Sequence, residues 1–387
     1  MQQAALPCVY MRGGTSRALF FHQRDLPEPG EDHGRWNRIF LAALGSPDPN
    51  GRQLDGMGGG ISSLSKIAVI APPSRDDADV DYTFAQVGVD NPAVGYRGNC
   101  GNISSAVGPF AVDEGLAKVT GTTARVRIHN TNTSKIIVAS FPVADGRAAV
   151  DGDFELEGVA GASAPIRLDF LDPAGAGTGR LLPTGSVVDR LETGTFGPLE
   201  ASLVDAANPT VFVDLEALGL DGSESAADLG SRPRLMQGFE DIRIAAAQAM
   251  GLIGTAEEGR TRLRNLPLVA LVAAPRDTRL ASGETLSAAN ADIVVRMISA
   301  GQPHKATPLT AALCLAVAAR IEGSVAQRAV RTLPSAADLR IAHPSGTLTV
   351  AAEIAETGGK IEARSATVYR TARRLMEGRV LVPASRL

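Results

Sequence analysis

The 387-residue chain is predicted to be an α+β protein of two pseudo-symmetric domains. Each domain is expected to be a curved, mainly antiparallel and barrel-like β-sheet wrapped around one central hydrophobic helix. Two observations predict this fold. Strand-like and helix-like segments follow one another in the same order in both halves, and each half holds one stretch of small or apolar residues without a polar face. A helix that is apolar all round is a buried helix.

The repeated order comprises six pairs of segments, and six elements in one order favour an internal repeat over coincidence. Alternating, β-branched runs indicate strands, and the Gly, Pro, Asn and Asp residues between them indicate turns. In the first and second halves respectively, the pairs are strand segments 11–21 and 204–213, helices 34–44 and 239–250, apolar strands 65–70 and 267–272, strands 80–87 and 291–298, polar helix openings 98–102 and 301–305, and alternating segments 124–129 and 338–343.

A chain of this length is too long for one ordinary hydrophobic core, which favours two domains. The Gly/Pro-rich stretch 172–198 is where we expect the boundary, giving domains 1–185 and 186–377, with residues 378–387 packing back on the first. If the repeat is real, its symmetry brings both helix openings to the cleft between the domains, and we expect the active site there. Helix N-termini bind anions through free N–H groups and the helix dipole.

The composition excludes several functional classes. Hydrophobic residues make up 44% and charged residues 21%, the formal net charge is −4, and no Lys/Arg-rich run occurs, so no nucleic-acid or membrane partner is expected. Three cysteines and five histidines show neither a disulfide framework nor a metal-ligand spacing, so no metal is expected. The sequence shows no signal peptide and no stretch of 18 apolar residues, which predicts a cytoplasmic location.

Cys100 is the first candidate for chemistry. It lies in Gly98-Asn99-Cys100-Gly101-Asn102, directly before the small-residue stretch that is predicted to be the first central helix. Free N–H groups and the positive end of the helix dipole favour the thiolate form at such a position. The alternative is an inert buried thiol, but the polar, glycine-rich setting argues against it.

Lys66 is the second candidate, at the mouth of an apolar strand after the glycines Gly58, Gly59 and Gly60. Burial would disfavour its ammonium form and prepare the amine for proton transfer. Taken alone, an exposed lysine at a strand end remains the alternative. The glycines do not form a dinucleotide-binding fingerprint, and a close backbone turn under a carboxylate fits them better.

The polar turns and helix openings supply the candidate substrate-binding residues. Arg12 is a candidate carboxylate clamp, because a guanidinium pairs bidentately with planar anions; a surface arginine in a turn is the alternative. His304 and Lys305 are expected to open the second central helix, with plain solvent exposure as the alternative. The full set is Arg12, Thr15, Ser16, Gly58, Gly59, Asn99, Gly101, Asn102, Asn208, Gln302, His304 and Lys305.

Several segments together resemble the PrpF family of methylaconitate isomerase-like proteins, which have the diaminopimelate epimerase-like fold. These segments span residues 11 to 306. They are Met11-Arg12-Gly13-Gly14-Thr15-Ser16, Gly45-Ser46-Pro47-Asp48, Asp55-Gly56-Met57-Gly58-Gly59-Gly60, Ser65-Lys66, Gly98-Asn99-Cys100-Gly101-Asn102, Gly108-Pro109-Phe110 and Gly301-Gln302-Pro303-His304-Lys305-Ala306.

This resemblance implies an isomerase that shifts an allylic proton in a small unsaturated polycarboxylate, such as 2-methylaconitate, without a cofactor. The catalytic lysine and cysteine proposed for the family fall on Lys66 and Cys100. A tautomerase of 4-oxalomesaconate and a non-catalytic polycarboxylate-binding protein that serves an aconitase-like enzyme stay open as alternatives. Epimerases of this fold use two opposed cysteines, whereas the second opening here has none, which argues against racemisation. A homodimer is a further expectation.

Overall fold

The computed structural model describes residues 2–96, 99–299, 301–331 and 337–387, and the chain divides into two compact units. Unit 1 comprises Met1–Asp169 and Tyr369–Leu387, and unit 2 comprises Phe170–Val368. The first division differs from the expected 185/186 because the Gly/Pro-rich stretch folds onto unit 2 and is no free linker. The carboxylate of Asp205 accepts hydrogen bonds from the backbone N–H of Gly177 and Thr178, at 2.8 and 2.6 Å.

Strands and helices are numbered along the whole chain. Unit 1 contains β1 (Gln3–Gly13), β2 (Ser16–His22), β3 (Lys66–Ala71), β4 (Val80–Val87), β5 (Val94–Gly95), β6 (Thr123–Asn130), β7 (Lys135–Ala144), β8 (Arg147–Ala148), β9 (Phe154–Glu155), β10 (Ala162–Ser163) and β23 (Ala372–Pro383), with helices α1 (Gly34–Leu44) and α2 (Gly101–Asp113). The chain passes from one unit to the other within β11 (Ile166–Leu171) and β22 (Lys360–Arg370).

Unit 2 contains β12 (Asp189–Thr193), β13 (Gly197–Ala206), β14 (Asn208–Asp214), β15 (Leu268–Ala273), β16 (Thr278–Arg279), β17 (Thr285–Leu286), β18 (Ile293–Ser299), β19 (Gln302–Pro303), β20 (Leu339–His343) and β21 (Gly346–Thr357), with helices α3 (Ala226–Gly230), α4 (Pro233–Ala249), α5 (Ala256–Thr261), α6 (Leu309–Ala318) and α7 (Val325–Ala329). In the described part of the chain, no helix is both long and apolar enough to cross a membrane.

The strand pairings repeat between the units and confirm the two-domain α+β fold. In unit 1, β1–β2 is antiparallel, β2–β3 parallel, β3–β4 antiparallel, β4–β6 parallel and β6–β7 antiparallel. In unit 2, the same alternation runs through β13–β14, β14–β15, β15–β18, β18–β20 and β20–β21. The same order of pairings in both units is what a duplicated supersecondary unit produces.

One buried helix lies at the core of each unit, as expected. Helix α2 buries eleven of its 13 residues and α6 buries eight of its 10. Small side chains let the surrounding strands approach: a Cβ added at Gly108 would lie 2.8 Å from the methyl of Ala139. Helix α1, by contrast, is amphipathic and buries one face, including Trp36 and Phe40, under the sheet of unit 1.

The expected helix α1 has the observed bounds, but two expectations for unit 2 were wrong. Helix α4 begins at Pro233, six residues before the expected start, because proline fits the first helical turn. Helix α6 begins at Leu309, and the expected opening 301–305 precedes it. Gln302 and Pro303 instead pair with Ser299 and Ile298 as β19.

Candidate active site

Cys100 occupies the N-cap position of α2. Its backbone is extended, with φ −105° and ψ 96°, and its carbonyl accepts the first helical hydrogen bond from the N–H of Ser104 at 2.9 Å. The residue is partly exposed and its thiol is free, whereas Cys8 and Cys314 are buried. The thiol thus accompanies the unpaired N–H groups of the first helical turn, with access to solvent.

Asn99 and Ser104 hold the residues around Cys100 in place. The side-chain oxygen of Asn99 accepts hydrogen bonds from Oγ of Ser104 at 2.9 Å and from Nδ2 of Asn130, on β6, at 3.3 Å. Ser104 Oγ also lies 3.0 Å from the carbonyl oxygen of Cys100. These contacts fix the start of the helix, so the amide oxygen of Asn99 is engaged within the protein.

The turn between β1 and β2 lies against the first turn of α2. A Cβ at Gly13 would approach the carbonyl oxygen of Asn102 to 2.5 Å, so only glycine permits this contact. Nδ2 of Asn102 donates a hydrogen bond to Oγ1 of Thr15 at 3.2 Å. Thr15 is exposed and acts here as an acceptor, which leaves its hydroxyl hydrogen available to an incoming oxygen atom.

Arg370 lies beside Asn102, and no motif in the sequence marks it. Its side chain is 6% exposed, and its Nε donates a hydrogen bond to Oδ1 of Asn102 at 3.1 Å. Its Nη1 donates to the carbonyl oxygen of Tyr369 at 2.8 Å. Burial lowers the pKa of Arg370 to about 10, while negative charge on Cys100 acts in the opposite direction. A buried cation therefore lies at the first turn of α2.

Tyr82, on β4, is a second residue of this neighbourhood that no sequence motif marks. It is fully buried, and its hydroxyl has no hydrogen-bond partner among the described residues. Burial, and then negative charge on Cys100, hold the pKa of Tyr82 well above its ordinary value. The phenol is consequently neutral, and Cys100 is one of the charged groups that act on it.

Arg12 serves a structural purpose that the sequence did not indicate. Its Nη1 donates hydrogen bonds to the carbonyl oxygen of Gly14 and to both the carbonyl and the hydroxyl oxygen of Thr371, at 3.0, 3.1 and 2.9 Å. Burial, and then the charge of Arg373, lower the pKa of Arg12. Through Nη1, Arg12 connects the β1–β2 turn to Thr371, the residue directly before β23.

Lys66 is the first residue of β3 and is buried. Its ammonium group donates a hydrogen bond to Oε1 of Gln86 and lies 5.2 Å from the ring centroid of Phe84. Gln86 is in turn held by its own Nε2, which donates to the carbonyl oxygens of Ser62 and Ser65 at 3.0 and 2.9 Å. The ammonium of Lys66 is therefore oriented by a side chain that is itself fixed.

Strand pairing brings the unit 1 candidates to neighbouring strand ends. Lys66 pairs with Ala18 near the start of β2, where Ser16 is buried, and with Gln86 on β4. Gln86 also pairs with Gly95 on β5, five residues before Cys100. Both candidate catalytic residues and the Thr15 turn thus belong to one unit.

Gly58 and Gly59 are explained by packing. A Cβ at Gly58 would lie 2.2 Å from Oε1 of Gln53, and one at Gly59 would lie 2.6 Å from the side chain of Leu64. Gln53 is fully buried and donates to the hydroxyls of Ser46 and Ser65, at 2.7 Å each. Gly58 makes room for this buried amide, which binds the hydroxyl of Ser65, the residue directly before Lys66.

Unit 2 repeats the contact between turn and helix. Nδ2 of Asn208, the first residue of β14, lies 3.3 Å from Oγ1 of Thr310, the second residue of α6. In unit 1 the comparable contact joins Thr15, just before β2, to Asn102, the second residue of α2. The N-cap of α6, which corresponds to Cys100, is Pro308 and offers no exchangeable proton.

Gln302, His304 and Lys305 do not open α6, contrary to expectation. Gln302 is exposed in β19, and the backbone N–H of His304 donates to the carbonyl oxygen of Met297 at 2.8 Å. Burial lowers the pKa of His304. Lys305 is exposed, and its carbonyl oxygen accepts a hydrogen bond from the hydroxyl of Ser345 at 2.5 Å. Pro308 ends this connection and sets the start of the helix.

Within the described ranges, no three His, Cys, Asp or Glu side chains converge in a way that could hold a metal ion. The polar groups around Cys100 and Lys66 are amides, hydroxyls and cations. They suit an anionic organic ligand, since Arg370 and free helical N–H groups are hydrogen-bond donors to carboxylates.

Comparison with known proteins gives matches along the whole chain. The profile of the family described as PrpF protein matches residues 3–383. The 3-methylitaconate isomerase of Eubacterium barkeri is 41% identical, over 100% of this chain and 99% of the relative. The 2-methyl-aconitate isomerase of Cupriavidus necator is 42% identical, over 98% of both. The 4-oxalomesaconate tautomerase of Pseudomonas putida is 40% identical, over 99% of this chain and 97% of the relative.

Solved structures agree with this assignment. The crystal structure of a methylitaconate-delta-isomerase superposes with a TM-score of 0.92 at 40% identity, covering 100% of this chain and 97% of the other. A hydroxyproline epimerase from Agrobacterium vitis shares the fold, with a TM-score of 0.53 at 11% identity over 98% of this chain and 93% of the other. The epimerase-like fold expected from the sequence is confirmed.

Proposed function

The chain belongs to the PrpF protein family and is an isomerase, and on that premise we propose that it moves an allylic proton in a small unsaturated polycarboxylate without a cofactor. The substrate we propose is 2-methylaconitate or a close analogue. One observation carries the proposal: an accessible thiol at the N-cap of a buried helix shares a unit with a lysine whose ammonium is fixed by Gln86. These are two proton-transfer groups on rigid elements.

The proposed reaction is a 1,3-proton shift. One group removes a proton from the γ carbon of the α,β-unsaturated acid, and the electron pair delocalises into the carboxylate as a dienolate. The other group delivers a proton to the α carbon, so that the double bond has moved and no atom is gained or lost. If the proton returns to the γ carbon instead, after rotation about the former double bond of the dienolate, the product is the cis-trans isomer of the substrate. Lys66 and Cys100 are the two groups, and either order of acid and base satisfies this scheme.

Stabilisation of the dienolate is the demanding part of such a reaction. The charge that develops on the substrate carboxylate needs donors that are already oriented, because reorganising solvent would cost free energy in the transition state. The free N–H groups at the start of α2 and the hydroxyl of Thr15 are donors of this kind. Asn102 holds the Thr15 hydroxyl in place.

The 40% identical tautomerase supports a second candidate substrate, 4-oxalomesaconate. As a keto-enol tautomerase, the same two groups would move a proton between a carbon atom and the carbonyl oxygen, but the pocket would have to accept an oxalo group instead of a methyl group. A third candidate, a polycarboxylate-binding protein without activity, requires ligand affinity that survives loss of both proton-transfer groups. An amino-acid racemase with two opposed N-cap thiols is disfavoured because Pro308 holds the second N-cap.

The deciding experiment is deuterium incorporation followed by proton NMR. Purified protein is incubated in D2O with 2-methylaconitate, 4-oxalomesaconate or methylitaconate, beside Cys100→Ser and Lys66→Met. We expect exchange and isomerisation of one substrate by the wild type, and a loss of about 100-fold or more in each variant. Cys8→Ala and Lys118→Met are matched controls, since Cys8 is buried in β1 and Lys118 is exposed.

Exchange in the wild type that persists in both variants would reject Lys66 and Cys100 as the proton-transfer groups. Binding of all three acids without any exchange would reject the isomerisation of these substrates and favour the binding protein.

A further inference from the structure

Arg370 is a buried cation without a carboxylate partner among the described residues. Its hydrogen bonds go to two neutral oxygen atoms, Oδ1 of Asn102 and the carbonyl of Tyr369, and these use two of its five N–H donors. A guanidinium taken out of water is costly unless an anion accompanies it. Arg370 is only 6% exposed, so we expect a bound ligand to supply the missing anion.

The surroundings restrict where such an anion can bind. Gly14 lies against the stem of Arg370, where an added Cβ would be 3.2 Å from Cδ. Asn102, the second residue of α2, fixes Nε and thereby orients the plane of the guanidinium at the start of the helix. The guanidinium of Arg370 thus lies at the first turn of the helix whose N-cap is Cys100.

We propose that Arg370 and the first turn of α2 form the subsite for one carboxylate of the substrate. Arg370 is then a carboxylate clamp of this unit, whereas Nη1 of Arg12 is engaged by Gly14 and Thr371. Bidentate pairing with Arg370 fixes the plane of the carboxylate, which is the plane in which a dienolate must form. This inference rests on the proposed function and names the residue that recognises its substrate class.

Alkylation of Cys100 tests the subsite without any turnover. Iodoacetate and iodoacetamide attack the same thiolate, but only iodoacetate carries a carboxylate. A subsite beside Cys100 speeds iodoacetate relative to iodoacetamide, and we expect the ratio of the two rate constants to fall about tenfold in Arg370→Gln. Arg379→Gln removes an exposed arginine of β23 and is expected to keep the wild-type ratio.

Two results would overturn the proposal. If both reagents react more slowly by the same factor in Arg370→Gln, Arg370 affects the Cys100 thiolate alone. If neither rate changes, Arg370 affects neither the thiolate nor the carboxylate of the reagent. Circular dichroism checks that each variant is folded. Should Arg370→Gln fail to fold, Arg370→Lys decides: it keeps a charge but lacks the planar fork, so we expect at least a threefold fall in the ratio, and an unchanged ratio contradicts the subsite.

The result separates this inference from the proposed function, because the ratio needs no isomerisation. A tenfold fall in a protein that exchanges no deuterium would keep the subsite and reject the reaction. An unchanged ratio in an active isomerase would keep the reaction and reject the subsite.

Discussion

The side chains of Lys66 and Gln86 face each other across the β3–β4 pair, and the ammonium of Lys66 donates a hydrogen bond to the amide oxygen of Gln86. The amide nitrogen of Gln86 is held by two backbone carbonyl oxygens, so the amide cannot turn its oxygen away. The position of the Lys66 ammonium is thus set by a neutral group. A carboxylate in that place would hold the same ammonium as an ion pair.

Replacing Gln86 by leucine is expected to lower kcat about 10- to 100-fold with a smaller change in KM, because misplacing a proton-transfer group acts mainly on the chemical step. The measurement is steady-state kinetics on the substrate found by NMR. Gln248→Leu, at an exposed position of α4, is the matched control. A kcat within twofold of wild type would show that Gln86 does not position the catalytic group.

The three cysteines are expected to differ sharply in reactivity. Burial raises the pKa of Cys314 to about 12 and also raises the pKa of Cys8, whereas Cys100 is partly exposed. At pH 8 the folded protein should react with one equivalent of an aromatic disulfide reagent, and the unfolded protein with three. Cys100→Ser should reduce the folded value to zero. Two fast equivalents in the folded wild type would contradict the burial of the other thiols.

Gly58→Ala is expected to destabilise the protein by about 1–3 kcal/mol through overpacking against Gln53, whose amide is held by several hydrogen bonds. Gly34→Ala is the matched control. Gly34 has helical dihedrals, with φ −57° and ψ −33°, and open space at its Cβ, so alanine should stabilise by about 0.5–1 kcal/mol. Chemical unfolding measures both. A Gly58→Ala protein that is as stable as the wild type, or more stable, would reject the packing explanation of Gly58.

Asp292 and Arg340 should contribute pH-dependent stability to unit 2. Burial acts to raise the pKa of Asp292, but hydrogen bonds from Arg340, at 3.0 and 2.7 Å, outweigh it and leave the pKa below its ordinary value. A depressed pKa in the folded state means that the stabilisation is present above the unfolded pKa of about 3.9 and is lost as the pH falls through the folded value.

Asp292→Asn should therefore lower the free energy of unfolding by about 2 kcal/mol at pH 7, and the difference from wild type should shrink below about pH 4. Glu362→Gln removes one partner of an exposed pair with Lys360, and should have almost no effect at either pH. A difference for Asp292→Asn that is constant with pH would mean that ionisation of the carboxylate does not contribute.

Local patterns predicted the central elements of the fold. Helix α1 and the buried helix α2 could be found because their apolar residues are close together in the chain. The opening of α6 could not, since Gln302 and Pro303 have no pattern that separates a helix start from a two-residue strand. Pairing with Ser299 decides between them, and pairing is a tertiary contact.

The candidate site was predictable in part for the same reason. Glycines and asparagines around Cys100 mark a special backbone, so that segment was recognisable. Arg370 contacts Asn102 from 268 residues away, and Gln86 reaches Lys66 only through strand pairing. Nothing in the neighbouring sequence of either residue marks it. Arg12 was predicted to be a carboxylate clamp because a guanidinium pairs with planar anions, and its contact with Thr371, from the far end of the chain, could not be read from the sequence.

The pairing of β1 with β23 has a consequence for synthesis on the ribosome. Residues Gln3 to Gly13 pair along their whole length with Pro383 to Ala372. The first strand therefore cannot complete its pairing until the last strand has been synthesised. Unit 2 is one continuous segment that ends at Val368, just before β23, so none of its residues belongs to the last strand. Domains fold as their residues emerge. The later half of the chain is thus able to fold first, while β1 and the start of α2 wait for the segment that brings Arg370.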